Sequence, residues 1–192
     1  MPLEAIQDLR GFRLPPGFRG RAAWFVQLWW LVQGTAFRWS PQVCYGWRRW
    51  LLRLFGASVG QGVLVRSTAS ITYPWKVSIG DWSWIGDEVV LYSLGAITIG
   101  AHSVISQRSY ICAGSHDYRK PSFDILATPI RIEGQCWIAS DVFVGPGVRI
   151  GSGAVVCARS TVFSDLPPRA VCAGNPAKPI RTRISEEHSG IK

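Results

Sequence analysis

Val77-Ser78-Ile79-Gly80-Asp81-Trp82-Ser83-Trp84-Ile85-Gly86-Asp87-Glu88-Val89-Val90-Leu91 decides the fold, and Ile97-Thr98-Ile99-Gly100-Ala101-His102-Ser103-Val104-Ile105 resumes the pattern twenty residues on. Branched aliphatics fall every six residues, at Ile79, Ile85, Leu91 and Ile97, then at Ile99, Ile105 and Ile111. The series extends backward through Val77, Ile71 and Val65 to Val59, and forward from Ile132 through Ile138, Val144, Ile150 and Val156 to Val162. Two-residue insertions make whole coils repeat at twenty in the first part; from Ile132 to Ile150 the spacing is eighteen. A period of six is neither the 3.6 of a helix nor the two of a long strand. It fits a strand of a few residues followed by a corner, with the aliphatic inward and Gly or another small residue permitting the turn. Three such sides close one coil, and stacked coils make a parallel β-helix filled by a ladder of Ile, Val and Leu.

Composition agrees with one domain that has a real core. The chain has 192 residues, 47% of them hydrophobic and 17% charged, which excludes disorder for most of it. A mean hydropathy of +0.13 raises the question of a membrane span. No stretch reaches the ~18 apolar residues that crossing requires. The nearest, Ala22–Phe37, lies between Arg21 and Arg38 and is broken by Gln27, Gln33 and Thr35. Glu4 and Asp8 stand where a signal peptide would be basic, so a cytoplasmic chain is expected. The five cysteines, Cys44, Cys112, Cys136, Cys157 and Cys172, are scattered without a C-x-x-C pair and read as small buried hydrophobes in a reducing compartment.

The pattern divides the chain into residues 1–55, helical and rich in Arg and Trp; 56–165, the β-helix, interrupted by a loop at 112–129; and 166–192, a C-terminal segment and tail. Net charge is +9, and residues 1–55 carry eight Arg against Glu4 and Asp8, with six of the ten Trp. Basic residues interleaved with bulky apolar ones, and no helix-turn-helix or zinc-finger signature, argue against a nucleic-acid partner. The spacing suggests a pair of helices. They either lie at a membrane surface, where Trp and Arg favour the headgroup layer, or pack on the rest of the protein or on a neighbouring subunit with Arg on the wet side.

The six-residue series breaks between Ile111 and Ile130 at a polar stretch, Gly114-Ser115-His116-Asp117-Tyr118-Arg119-Lys120-Pro121, expected as an extruded loop. Loops on rigid scaffolds concentrate function. Of the three histidines, His188 lies in a polar tail and His102 reads as a corner or outer-face residue. His116 stands where regular structure gives way. Asp117 could orient it, although neighbours in a strand point to opposite sides.

These repeats resemble the hexapeptide-repeat acyltransferases, whose prism is a left-handed β-helix; the handedness comes from the resemblance. Gly114-Ser115-His116 matches the segment in which the maltose, galactoside and nodulation-factor acetyltransferases carry a general-base histidine. The ending Ala173-Gly174-Asn175-Pro176-Ala177-Lys178 is similar to the acetyl-CoA half of the family. The resemblance implies that acetyl-CoA is the acyl donor, with no metal. By position, Trp137, Ser140 and Ala158 would line the thioester and pantetheine groove, Pro176 would abut the adenine, Asn175 would also bind the cofactor, and Lys178, Arg181 and Arg183 would offer cations to phosphates. Phe163-Ser164 stands where relatives often have Thr-Lys. Tyr92, Ser93, Ser115 and Asp117 would lie nearest the acceptor, although Tyr92-Ser93-Leu94-Gly95 replaces the Asn coil of the maltose and galactoside branch.

Gln7-Asp8-Leu9, Gly17-Phe18-Arg19-Gly20, Trp39-Ser40-Pro41-Gln42-Val43 and Ile71-Thr72-Tyr73-Pro74-Trp75-Lys76 look like the colanic acid biosynthesis acetyltransferases of bacterial exopolysaccharide clusters. That likeness implies O-acetylation of a sugar hydroxyl by a homotrimer, on an acceptor that can be lipid-linked, with residues 1–55 as a candidate peripheral contact with the inner membrane. The alternatives are N-acetylation of an amino sugar, a non-catalytic solenoid scaffold, and a γ-carbonic anhydrase-like metal enzyme, which needs three converging histidines.

Overall fold

The computed structural model describes residues 6–184; Glu4, His188 and the rest of residues 185–192 lie outside the described residues. The six-residue period closes into three sheets that form the walls of a prism. The first contains Ser58–Val59, Val77–Ile79, Ile97–Ile99, Ile130–Ile132 and Arg149–Ile150. The second runs from Leu64–Val65 through Trp84–Ile85, Val104–Ile105, Trp137–Ile138 and Val155–Val156 to Ala170–Gly174. The third contains Ser70–Ile71, Val90–Tyr92, Tyr110–Cys112, Phe143–Val144 and Thr161–Val162. Register follows the sequence ladder: Val59, Ile79, Ile99, Ile132 and Ile150 are successive partners in the first sheet. Val65, Ile85, Ile105, Ile138, Val156 and Cys172 are partners in the second. All are buried.

The corners refine the expected role of glycine. Gly80 and Gly100 are needed for close approach of the next coil, since an added Cβ would lie 2.4 Å from Ala101 N and 2.4 Å from Gly134 N respectively. The left-handed residue comes two positions later and is mostly not glycine: Trp82, His102, Gln135 and Arg169 have φ of 58°, 56°, 61° and 58°. His102 is thus an exposed corner residue. Buried hydroxyls tie the coils behind this corner: Ser83 Oγ donates to Gly100 O at 2.9 Å and accepts from Ser103 N at 3.1 Å. All five cysteines are free thiols, and Cys136 and Cys172 are fully buried.

A β-helix leaves an unpaired strand edge at each end. Here the N-terminal helices cover the first coil. Helix α1 (Ala23–Val32) continues into a π-helical turn, Gln33–Phe37, and α2 spans Tyr45–Leu54. Their polar side chains satisfy the edge. Arg53 donates to Val59 O and Gly60 O, Arg49 to Val63 O, and the fully buried Arg48 to Val65 O. On the third side Trp29 Nε1 donates to Ile71 O at 2.8 Å, and Gln33 Oε1 accepts from Ile71 N at 2.6 Å. Packing with Arg on the wet side therefore does not describe all of α2: Arg48 is buried, and the half-buried Arg49 and exposed Arg53 reach back to prism carbonyls, while Trp47, Trp50 and Leu54 are exposed.

Two hairpins depart from the coil. Residues expected as a loop form an antiparallel hairpin, Gly114–His116 with Ile125–Ala127. At the C-terminus Ala177–Thr182 turns back antiparallel on Ala170–Gly174 and extends the second sheet.

Candidate active site

His116 ends the first strand of the extruded hairpin, opposite Ile125. The hairpin leaves the corner between the third and first sheets, and Gly114 lets it do so: a Cβ there would meet Leu94 Cδ1 at 2.7 Å and Tyr92 Cε1 at 3.0 Å. The imidazole is half-buried. Its Nδ1 lies 2.8 Å from the carbonyl oxygen of Phe123. A carbonyl only accepts, so in the neutral ring Nδ1 carries the proton and Nε2 the lone pair. The Phe123 ring stacks on the imidazole, with centroids 4.2 Å apart and planes 8° apart. Phe123 adopts φ of 51°, a left-handed conformation in which its N–H donates to Lys120 O at 2.9 Å while its own carbonyl meets the imidazole.

The N-terminal segment also packs against this histidine. Asp8 N–H donates to Pro121 O at 2.8 Å, and the half-buried Phe12 brings its ring to 6.2 Å from His116. Neither Phe12 nor Phe123 was legible as a site residue, since both contacts are tertiary.

Asp117 does not orient His116. Its carboxylate binds Arg119 Nε at 2.9 Å and Arg119 N at 3.2 Å, and these contacts hold it below the usual carboxylate range. Ser93 is also not free to meet an acceptor. It is fully buried, accepts from Tyr73 N at 2.8 Å and donates to Tyr73 O at 3.0 Å. Tyr92 is half-buried with its ring 6.0 Å from that of Tyr110, and Ser115 is exposed on the hairpin.

The residues expected to hold the donor gather elsewhere. Trp137 lies on the outer face of the second sheet, its indole N–H donating to Ser106 Oγ at 3.0 Å. Continuing the pairing of Ile138 with Val156 and Cys172, Ser140, Ala158 and Gly174 occupy one corner in successive coils. Asn175 at the hairpin tip accepts from the Thr161 hydroxyl, and Pro176 and Lys178 are exposed beside it. Arg181, opposite Val171, is exposed farther along the same sheet. Arg183 does not join them: it sits at the opposite corner, where Nη1 donates to Gln135 O at 2.9 Å and Gly153 O at 3.2 Å. Between the His116 corner and the corner of Ser140, Ala158 and Gly174 stands the third sheet, whose outer face carries an aromatic band, Tyr92, Tyr110, Phe143 and Phe163. His102 and His116 occupy different corners.

A prism of short parallel strands with an extruded, histidine-bearing hairpin and a Gly-Asn-Pro C-terminal turn defines a hexapeptide-repeat acetyltransferase with a left-handed β-helix. The chain belongs to the colanic acid biosynthesis acetyltransferases. It is 61% identical over 182 residues, 95% of this chain and all of the other, to the Escherichia coli K12 protein named "Putative colanic acid biosynthesis acetyltransferase WcaF". A Vibrio cholerae hexapeptide-repeat acetyltransferase solved with acetyl coenzyme A superposes with a TM-score of 0.75 at 25% identity, covering 92% of this chain and 96% of that one. A galactoside acetyltransferase solved with coenzyme A gives 0.73 at 25% identity, covering 91% and 88%. No family model matches the chain.

Proposed function

We propose that the chain transfers an acetyl group from acetyl-CoA to a sugar hydroxyl during bacterial exopolysaccharide synthesis, with His116 as general base. The observation that carries the reading is the Nδ1 contact of His116 with the Phe123 carbonyl, which leaves Nε2 as the only basic nitrogen. In the reaction the sugar O–H proton passes to Nε2 while the oxygen attacks the thioester carbonyl carbon. The tetrahedral intermediate collapses, the C–S bond breaks, and the leaving thiolate takes the proton from the imidazolium. No acyl-enzyme is needed. Trp137, Ser140, Ala158, Asn175 and Pro176 form the donor wall, with Lys178 and Arg181 exposed for its phosphates. Within one prism the third sheet separates this wall from His116, which favours a homotrimer in which a neighbouring prism supplies the other half of each site. Tyr92 and Ser115 stand on the acceptor side. The acceptor is a saccharide of the polymer repeat, carried on lipid at the cytoplasmic face of the inner membrane.

His116→Ala should lower transfer by about 10²-fold or more at an unchanged melting temperature, and Trp137→Ala should raise the KM for acetyl-CoA. Mass spectrometry of polysaccharide from cells with and without the gene then reads the product. A missing O-acetyl group supports the proposal, a missing N-acetyl group on an amino sugar replaces it with N-transfer, and an unchanged polymer or near-normal turnover of His116→Ala removes it.

A further inference from the structure

We infer that the outer face of the two N-terminal helices docks on an anionic lipid bilayer. On α1, Trp24, Leu28 and Leu31 follow the i, i+4, i+7 spacing of one helix face and are exposed, while Val26 and Trp29 fill the core side. On α2, Trp47, Trp50 and Leu54 make the matching stripe, with the two indoles stacked at 5.0 Å. Between the helices Trp39 is 81% exposed, and an open, largely apolar cleft of about 470 Å³ joins it to Trp47. The arrangement is inverted relative to an ordinary surface helix, because the arginines of α2 are held by the carbonyls of the first coil. An exposed run of large apolar side chains on this scale marks an interaction surface.

Charge selects the occupant. Residues 9–80 contain nine Arg, one Lys and no Asp or Glu. Arg48 is buried and Arg49 and Arg53 are bonded to first-coil carbonyls, while Arg21, just before α1, and Arg38, just after the π-helical turn, are exposed in a stretch with no carboxylate to pair them. Two such faces brought together by self-association would oppose like charges. A lipid surface supplies both missing parts, an apolar layer for the indoles and leucines and anionic headgroups for the arginines. No helix among the described residues is long and apolar enough to cross a membrane, so the contact is peripheral. The inference rests on the proposed function only for the identity of the acceptor that such docking brings within reach; lipid binding itself is read without turnover.

The test is co-sedimentation of the full chain with vesicles of phosphatidylglycerol and phosphatidylcholine at 1:1, set against phosphatidylcholine alone. Wild-type protein should bind the anionic vesicles, with a blue shift of tryptophan emission and quenching by brominated lipid. Leu31→Ser with Trp50→Ser should weaken binding by about 10-fold or more while leaving melting temperature, oligomeric state and acetyl-CoA binding as in the wild type. If that double variant fails to fold, Trp39→Ser in the connecting turn replaces it, with quenching as the readout. Absent binding by the wild type, equal binding by a folded variant, or a variant that falls apart into smaller oligomers with vesicle binding intact would each overturn the inference. Loss of transfer with vesicle binding retained would count against the proposed reaction alone.

Discussion

Removing the guanidinium of Arg48 should destabilise the protein by about 3 kcal/mol. Arg48 is fully buried without a carboxylate partner, and burial pushes its pKa down. Its donors reach Val65 O at 2.6 Å, Ser40 Oγ at 2.8 Å, Pro41 O at 2.8 Å and Gln42 O at 2.6 Å. Its cation lies 4.7 Å from the Tyr45 ring centroid. Arg48→Met keeps the apolar stem and removes a donor from all four acceptors, of which Pro41 O keeps its bond from Cys44 N at 3.0 Å and Ser40 Oγ its bond to Phe37 O at 2.6 Å. The buried Val65 carbonyl then costs roughly 1–3 kcal/mol, and each of the three part-buried acceptors, which water can partly reach, about 0.5–1 kcal/mol. Relief from desolvating an unpaired charge offsets part of this. A net loss of about 3 kcal/mol in a chain of this size lowers the melting temperature by roughly 6–12 °C. Arg48→Lys, which delivers one ammonium to a fan of acceptors, should fall between the wild type and Met. Thermal melts and denaturant titrations followed by circular dichroism measure this. An Arg48→Met variant melting within 2 °C of the wild type, or a Lys variant no better than Met, would refute the idea that this side chain holds the cap on the first coil.

Phe123→Leu should lower kcat by about tenfold through loss of the ring that fixes the imidazole, with the KM for acetyl-CoA unchanged; steady-state kinetics on both substrates separates the two. Gly80→Ala places a methyl 2.4 Å from Ala101 N and should cost about 3 kcal/mol, whereas His102→Gly, at φ of 56°, should be tolerated within about 1 kcal/mol; paired melts compare them. Burial raises the Cys136 and Cys172 thiols above their ordinary value of 9.0, so the folded state keeps protons that the unfolded state releases. That stability is fully present below pH 9 and lost as pH climbs through the raised values. Cys136→Ala should flatten the fall in denaturation midpoint above pH 9; a fall as steep as in the wild type would contradict this account.

The ladder Val59, Ile79, Ile99, Ile132, Ile150 was legible because a solenoid repeats one packing problem, and its solution is written in residue type at fixed spacing. The same regularity exposed the interruption that holds His116. What could not be read was each contact depending on a fold-back of the chain. Asp117 is adjacent in sequence to His116, and strand alternation already counts against it as the orienting group; a carbonyl seven residues away does that work, and a backbone oxygen has no signature in residue type. Ser93 fits a polar wall by composition but is consumed by Tyr73 of the preceding coil. Arg183 reads as one more cation in a basic tail until the strand Ala177–Thr182 carries it to the far corner.

The N-terminal segment shows why composition alone left two readings open. Arg and Trp at helical spacing suit both a packed cap and a membrane face, and the structure divides the residues between them. An open end of a β-helix exposes carbonyls, which call for donors, and Arg48, Arg49 and Arg53 are the donors available on α2. With Arg48 buried and the longer Arg49 and Arg53 side chains reaching back to those carbonyls, Trp47, Trp50 and Leu54 are left on the outer side. The outward apolar stripe is thus a consequence of capping. Replacing it with polar residues would leave the cap's hydrogen bonds intact, so stability alone gives little reason to keep it. A reason lies in what it touches, and for that reason vesicle binding, not melting temperature, is the measurement that separates the cap's two roles.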